Sequence, residues 1–471
     1  MHELTTEGLA NSTIAWAITA RCQNRCRHCY LFSEPTYQHE IARELDRDGL
    51  FRVLESIRAF EDEYHTRFAA FALSGGDPLL HPDWEALAIR LHGLGRALTM
   101  IGNPESLTDD NLARLAAAGV SSYQLSIDGL EAAHDELRQA GSFRRTLAAI
   151  PRLAAHGIRV GLMFTLSARN RDDLFPLIDF LAAETEADSF AFDLCCPTGN
   201  GRALTTGMLP AEIEEYCLRY LQRKAELQAA GAGLHLAERP TALRLARFAR
   251  GEFPPVGSAE LGAVSGCACG WSPPPILADG TVIPCRRIPL PLGRLPEQSF
   301  AEIFLGHELL RRFRRRESYA ACGGCDLYAV CRGCPGYAYG TTGDPFAANP
   351  HCYRDRLPAT SAPVPCPTRT LPMDASLSEE FALIARHFSN YLPAHFAELL
   401  WQPPVLPLLV TLGSDAAQRR EFLRDPRAYA VAHGVVLDDL QRTVVVHVLQ
   451  GVVMGSLPAE QLQRLAAFQF A

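Results

Sequence analysis

The 471-residue sequence lacks an excess of basic charge: 45 Lys and Arg stand against 53 Asp and Glu, a formal charge of −8. A chain that tracks a phosphate backbone normally carries a basic stripe, so nucleic acid is not an expected partner. Also missing is any uncharged apolar run of the roughly 18–20 residues that a membrane-spanning helix needs, so no membrane partner is expected either. The opening stretch, MHELTTEGLANSTIAWAITARC, has no basic segment followed by an apolar run and a small-residue cleavage site. The expectation is a cytoplasmic protein, in a compartment where thiols stay reduced. What the sequence does have is cysteine. Fifteen of them in a reducing compartment point to metal or cluster ligation rather than to disulfides. With 48% hydrophobic and 21% charged residues the chain can bury large cores, and its length predicts two or three domains.

Short apolar, β-rich runs at 13–20, 68–74, 97–102, 122–128, 159–166 and 189–195 alternate with helical periodicity at 43–61, 84–94, 108–118, 143–156, 171–184 and 210–230. Such alternation predicts an α/β fold of βα units around a parallel sheet. Six units predict a partial (β/α)6 TIM-like barrel over residues 1–235, with its chemistry at the carboxyl ends of the strands. Residues 236–265 read as a bridge. From 266 to 360 Gly, Pro and Cys accumulate and long periodic segments vanish, apart from helical character near 299–316. So small a core is expected to need metals. The Pro-rich TSAPVPCPTRTLP reads as a linker, and residues 374–471 as a mainly helical C-terminal domain.

Directly after the first strand comes Cys22-Gln-Asn-Arg-Cys26-Arg-His-Cys29, a C-x3-C-x2-C triplet. Three thiolates on one tight loop can hold three irons of a [4Fe–4S] cube and leave the fourth open, whereas ferredoxin-type sites use four cysteines. The alternative is a zinc loop or plain surface thiols. Structural zinc normally takes four ligands in paired spacings, and His28 sits inside the triplet rather than at such a spacing.

The triplet in this position resembles that of the radical S-adenosylmethionine (SAM) superfamily. The resemblance implies that the open iron chelates SAM, and that one electron cleaves SAM to methionine and a 5′-deoxyadenosyl radical, which takes hydrogen from an unactivated C–H bond. Further segments are similar to the family's. Ser74-Gly75-Gly76-Asp77-Pro78 resembles its GGEP loop with Asp in place of Glu, and Ser126-Ile127-Asp128-Gly129 resembles its S-[IL]-D-G segment. By this likeness Gly75, Gly76, Asp77, Ser126 and Asp128 contact SAM, Arg138 pairs with the SAM carboxylate through charge-assisted hydrogen bonds, and Asn103 lies on the SAM side. The paired glycines could equally make a plain turn, and Arg138 could be an exposed helix arginine.

The Gly/Pro-rich region carries Cys267, Cys269, Cys285, then Cys322-x2-Cys325-x5-Cys331-x2-Cys334, and Cys352. It resembles the SPASM extension of peptide- and protein-modifying radical SAM enzymes, which holds two auxiliary [4Fe–4S] clusters. The resemblance assigns Cys269, Cys285 and Cys334, with Cys267 as a possible fourth, to one cluster, and Cys322, Cys325, Cys331 and Cys352 to the other. The spacing Arg332-Gly333 before Cys334 is one residue shorter than the family often shows, which puts the register of that ligand in doubt. A zinc ribbon is the alternative, since C-x2-C pairs favour zinc too. Eleven of the 15 cysteines are then used, leaving Cys195, Cys196, Cys217 and Cys366.

At the C-terminal end, residues 378–402 are amphipathic with helical spacing, and 443–448 (TVVVHV) are β-rich. Phe422-Leu423-Arg424-Asp425-Pro426 followed by Gly434-Val435-Val436-Leu437 resembles the nitrile-hydratase-like leader segments of some ribosomally made peptides. A helical dimerisation cap is the alternative. Only 21 residues precede Cys22, too few for an N-terminal leader-binding winged helix.

The resulting expectation is a radical SAM/SPASM peptide maturase. It installs a thioether, a crosslink or another oxidative change in a ribosomal precursor peptide or small protein, and draws electrons from a donor such as flavodoxin or ferredoxin. The alternatives are modification of a small molecule or amino acid, and a non-enzymatic iron–sulfur electron-transfer or scaffold protein. A formylglycine-forming activity is disfavoured, because family members of that type carry Asp where Arg286 stands.

Overall fold

The computed structural model describes residues 12–30, 40–64, 66–204, 208–250, 266–328, 331–357, 372–381, 384, 405–437, 445–446 and 449. Seven parallel strands form one sheet: β1 (Thr13–Thr19), β2 (Ala70–Gly75), β3 (Ala97–Ile101), β4 (Val120–Ser126), β5 (Arg159–Leu166), β6 (Ser189–Leu194) and β7 (His235–Glu238). Each strand pairs with the next in chain order and β1 does not meet β7, so the barrel stays open. The helices between them are α1 (Arg47–Glu63), α2 (Trp84–Gly93), α3 (Asp109–Ala117), α4 (Glu131–Leu137), α5 (Ser142–Ala155), α6 (Leu174–Glu184) and α7 (Pro210–Ala229), with α8 (Ala242–Ala249) after β7.

The expected partial barrel is present, with one strand more than six. His-Leu-Ala-Glu is too short to display a period and becomes a strand only because it pairs with β6, Ser189 opposite His235. The short α4 and α8 escape periodicity for the same reason. Helix starts follow local chemistry: Asp46 accepts the Gly49 amide at the head of α1, and Thr108 accepts the Asn111 amide at the head of α3. Alternating strand residues such as Ile14, Trp16, Leu73, Met100, Tyr123, Leu125, Phe164 and Phe190 are buried in one continuous core.

The cysteine-rich segment packs onto the open edge. The Ala17 amide donates to the Ile276 carbonyl and the Ile276 amide to the Ala15 carbonyl, a parallel bridge along the side of β1 that β2 leaves bare. A small antiparallel ladder, β8 (Thr281–Val282) with β9 (Gly293–Arg294), supports this segment. The helical stretch expected at 299–316 divides into a π-helical turn, Glu302–Gly306, and α9 (Glu308–Phe313). Pro335–Thr342 forms α10.

Beyond the linker, residues 377–381 are helical, and most of the helix expected at 378–402 lies outside the described residues. Here Glu380 is fully buried and carries three arginines: Arg314 at 2.9 Å, Arg315 at 3.2 Å and Arg311 at 3.8 Å. Farther on, α11 (Val405–Ser414), α12 (Ala416–Arg424) and α13 (Pro426–Ala432) close around their own core of Val405, Leu409, Leu412, Phe422, Tyr429, Val445 and Leu449. Val445 and Val446, expected in a β-rich run, are helical. Packing of Val445 in this cluster overrides its β propensity.

Because a buried ion pair that loses one partner leaves uncompensated charge, Glu380→Ala is expected to lower stability by about 3–5 kcal/mol. Urea unfolding of the two proteins side by side checks this.

Candidate active site

The loop that follows β1 is clamped to the loop that follows β2. The Gly76 amide donates to the Thr19 carbonyl at 3.0 Å and the Asp77 amide to the Arg21 carbonyl at 2.7 Å. A Cβ on Gly75 would lie 1.9 Å from the Thr19 carbonyl oxygen, and one on Gly76 would lie 2.1 Å from that of Arg21. Gly75 also has φ +140°, so only glycine allows this approach. The two loops thus fix where Cys22, Cys26 and Cys29 stand.

All three thiols line a cavity of about 780 Å³ together with Gly75, Gly76, Asn103, Ser126 and Arg138. Asn103 Nδ2 donates to Cys22 Sγ at 3.3 Å, and Arg138 Nη1 lies 3.7 Å from Cys26 Sγ. Burial pushes the Cys22 and Cys26 thiols up from their ordinary range, so a bound cation is what would let them ionise here. Among the described residues no three His, Cys, Asp or Glu side chains converge closely enough to hold a single metal ion. The thiols border a space, and that donor set with its N–H groups aimed at sulfur fits a cluster.

Asp77 and Asp128 stand behind the cavity wall. Asp77 accepts from Ser106 Oγ at 2.6 Å and from the Leu79 amide at 3.2 Å, capping the turn Pro78–Leu80. Asp128, fully buried, accepts from Arg138 Nε at 2.5 Å and from the Thr165 amide at 2.7 Å, and faces His28 Nε2 at 3.4 Å. Burial raises its carboxyl, but Arg138 and then His28 outweigh that and hold it below the usual range. Arg138 is therefore no exposed helix arginine: its side chain is one-tenth exposed and turned toward the triplet.

The auxiliary cysteines separate into two groups. Cys267, Cys269, Cys285 and Cys334 line the same cavity as the triplet, and Cys269 feels the charges of the other three. Cys322, Cys325, Cys331 and Cys352 border a second, smaller cavity, where Cys331 feels the other three. Burial drives Cys267, Cys322 and Cys331 up to about 12. Cys334 thus sides with Cys285 although it follows Cys331 by three positions, and Cys267 completes that quartet.

Several cavity residues were not singled out from sequence. Tyr30 follows the triplet, and its phenol feels Arg286, Cys29, Arg287 and Cys285. Arg287 pairs with Asp193 and reaches to 3.9 Å from Cys334 Sγ, while Arg286 donates to Ser74 Oγ. The Arg-Arg pair directly after Cys285 was the available signal. Of the leftover cysteines, Cys196 lines the cavity, whereas Cys195 packs with Leu137 and Leu204 and Cys217 is buried in α7.

A model of the radical SAM superfamily matches residues 16–181, and one of the SPASM iron-sulfur cluster-binding domain matches residues 267–335. The AdoMet-dependent heme synthase of Methanosarcina barkeri is 30% identical over 348 residues, 72% of this chain and 95% of that protein. The pre-heme d1 synthase of Dinoroseobacter shibae is 29% identical over 74% of this chain and 87% of that protein. Among solved structures, Streptococcus suis SuiB bound to precursor peptide SuiA superposes with a TM-score of 0.56 at 16% identity, over 72% of this chain and 75% of that one. The chain belongs to the radical SAM superfamily and carries its SPASM domain, and these two domains imply an enzyme that uses iron–sulfur clusters and SAM. No helix among the described residues is long and apolar enough to cross a membrane.

His134 tests how this site is held. Its Nδ1 accepts the Asp128 amide at 3.0 Å and its Nε2 meets Ser142 Oγ at 3.1 Å. Burial, and next the Arg138 charge, lower it from 6.5 to about 4. Neutral His134 therefore contributes stability that is complete above about pH 6.5 and is lost as pH falls toward 4. Between pH 7.5 and pH 4.5 the unfolding free energy read from urea melts is expected to fall about 2–3 kcal/mol more in the parent than in His134→Gln.

Proposed function

We propose that this chain is a SAM-cleaving peptide maturase that installs a thioether, another crosslink or a further oxidative change in a residue of a ribosomally made peptide. When bound, the cluster and SAM supply a carbon-centred 5′-deoxyadenosyl radical able to take hydrogen from carbon. Cys22, Cys26 and Cys29 hold that cluster. Gly75, Gly76, Asn103, Ser126 and Arg138 face SAM, while Asp77 and Asp128 keep the loops and Arg138 in place. Cys267, Cys269, Cys285 and Cys334 hold one auxiliary [4Fe–4S] cluster, and Cys322, Cys325, Cys331 and Cys352 a second.

The observation that carries the reading is the shared cavity: one space is bordered by both the triplet and the first auxiliary quartet. A substrate residue held there meets the radical source and a route by which its surplus electron leaves for the oxidised form of a carrier such as flavodoxin or ferredoxin, whose reduced form supplies the electron that cleaves SAM. Supporting the peptide substrate, the separate α11–α13 core contains the Phe422–Pro426 segment, the end of α12 and the start of α13, which resembles a leader segment.

A second reading is modification of a small carboxylated molecule. It is favoured by the two relatives near 30% identity, whose names are those of heme and pre-heme d1 synthases. It is also favoured by Arg239 and Arg286, which line the cavity without a carboxylate partner among the described residues.

Purified without oxygen and given SAM with a low-potential reductant, the protein is expected to release 5′-deoxyadenosine. Replacing Cys22, Cys26 and Cys29 by Ala should reduce that release to background while the auxiliary iron persists. Co-expression with a candidate precursor peptide should then change the mass of one peptide fragment. Conversion of an iron porphyrin with no change in any peptide would establish the second reading, and a fully loaded protein that leaves SAM intact would overturn both.

A further inference from the structure

Two arginines beside the auxiliary cysteines bring a carboxylate with them. Arg287 is paired with Asp193, and Arg354 holds Asp326 at 2.5 Å. Arg332 does not. Its side chain sits between the two quartets, in the two-residue spacer from Cys331 to Cys334, and only 3% of the residue is exposed. Its Nε is buried without a hydrogen-bond partner, and no carboxylate among the described residues pairs with it. The guanidinium lies 5.7 Å from the centre of the Trp271 ring. A contact of that kind offsets only a small part of the cost of desolvating an unpaired cation.

The backbone at this position is also unusual. Arg332 has φ 59°, the one positive value at a non-glycine position among the described residues. Asn or Gly is the ordinary occupant of such a conformation. A left-handed arginine, buried and unpaired, is disfavoured twice over unless a negative charge meets it. The charges within reach are the thiolates: Arg332 acts on Cys267 and Cys269 in the direction that favours their ionised form, and it lines the second cavity beside Cys322, Cys325, Cys331 and Cys352.

We propose that Arg332 is the fixed counter-charge of the auxiliary cysteines that flank it, a positioning residue whose charge sets the reduction potential of a cluster held beside it. The inference rests on the reading that these cysteines bind iron–sulfur clusters. Reduction adds negative charge to the site, and a buried cation beside it favours the reduced state. Burial keeps salt from screening the effect. The shortened spacer serves this role, since it places a left-handed residue, facing inward, between the two groups of thiols.

The test uses the full-length chain with Cys22, Cys26 and Cys29 replaced by Ala, so that only auxiliary signals remain, reconstituted and titrated by EPR against a range of potentials. Arg332→Gln is expected to shift one auxiliary midpoint to lower potential at unchanged iron and sulfide content, while Arg332→Lys keeps the parent value. Loss of one cluster's share of iron in the Gln protein alone supports the same role. An unshifted midpoint in the Gln protein overturns the proposal. So does an equal shift, or an equal loss of iron, in the Lys and Gln proteins, because the side chain would then act through shape and not charge. A parent lacking any auxiliary signal would overturn the cluster assignment beneath it.

Discussion

One carboxylate carries the geometry of the candidate site. Asp128 has no exposed surface, yet it binds the guanidinium of Arg138, faces the ring of His28 inside the triplet loop and receives the amide of Thr165 at the end of β5. A charge so far from water persists only when its lone pairs are filled. By filling them, the chain ties the cysteine loop, the segment after β4 and the end of β5 into one hydrogen-bonded unit. Asp77 does the equivalent on the other side through Ser106 and the Leu79 amide. The acidic residues of both motifs therefore act as framing, and the atoms that reach the cavity are backbone, amide, hydroxyl and guanidinium groups.

The thiols impose the complementary constraint. Twelve of them border two cavities, and several are held protonated by burial in the protein alone. Metal binding must release those protons, so cluster loading and the packing of the cysteine-rich segment are linked events. Around the thiols the chain distributes positive charge unevenly: Arg138 and Arg287 are balanced by Asp128 and Asp193, whereas Arg239 and Arg286 meet no carboxylate among the described residues. The cavity thereby combines a neutralised wall with a cationic one.

Much of this was legible before any coordinates. The βα alternation yields the barrel because its first six strands are five to eight residues of largely apolar, β-branched and aromatic chain set between amphipathic helices, and the triplet announces itself by spacing. What escaped is whatever depends on pairing across long stretches of chain. His235–Glu238 has no period of its own and is a strand only beside β6. Arg287 and Asp193 lie 94 positions apart. The alliance of Cys334 with Cys269 and Cys285, by contrast, was available from the family resemblance but not from spacing, because Cys331, three residues earlier, belongs to the other group. Cys267 could be offered only as a possible member of its quartet, since a C-x-C pair does not reveal which sulfur faces inward.

The bridge between Ile276 and β1 gives the two halves of the molecule a shared fate. An outer parallel strand with bare amides and carbonyls is a template for strand addition between molecules, and here that template is shielded by a segment whose apolar residues join the barrel's own core. Any change that loosens the chain around Ile276 would thus leave the barrel with a sticky margin.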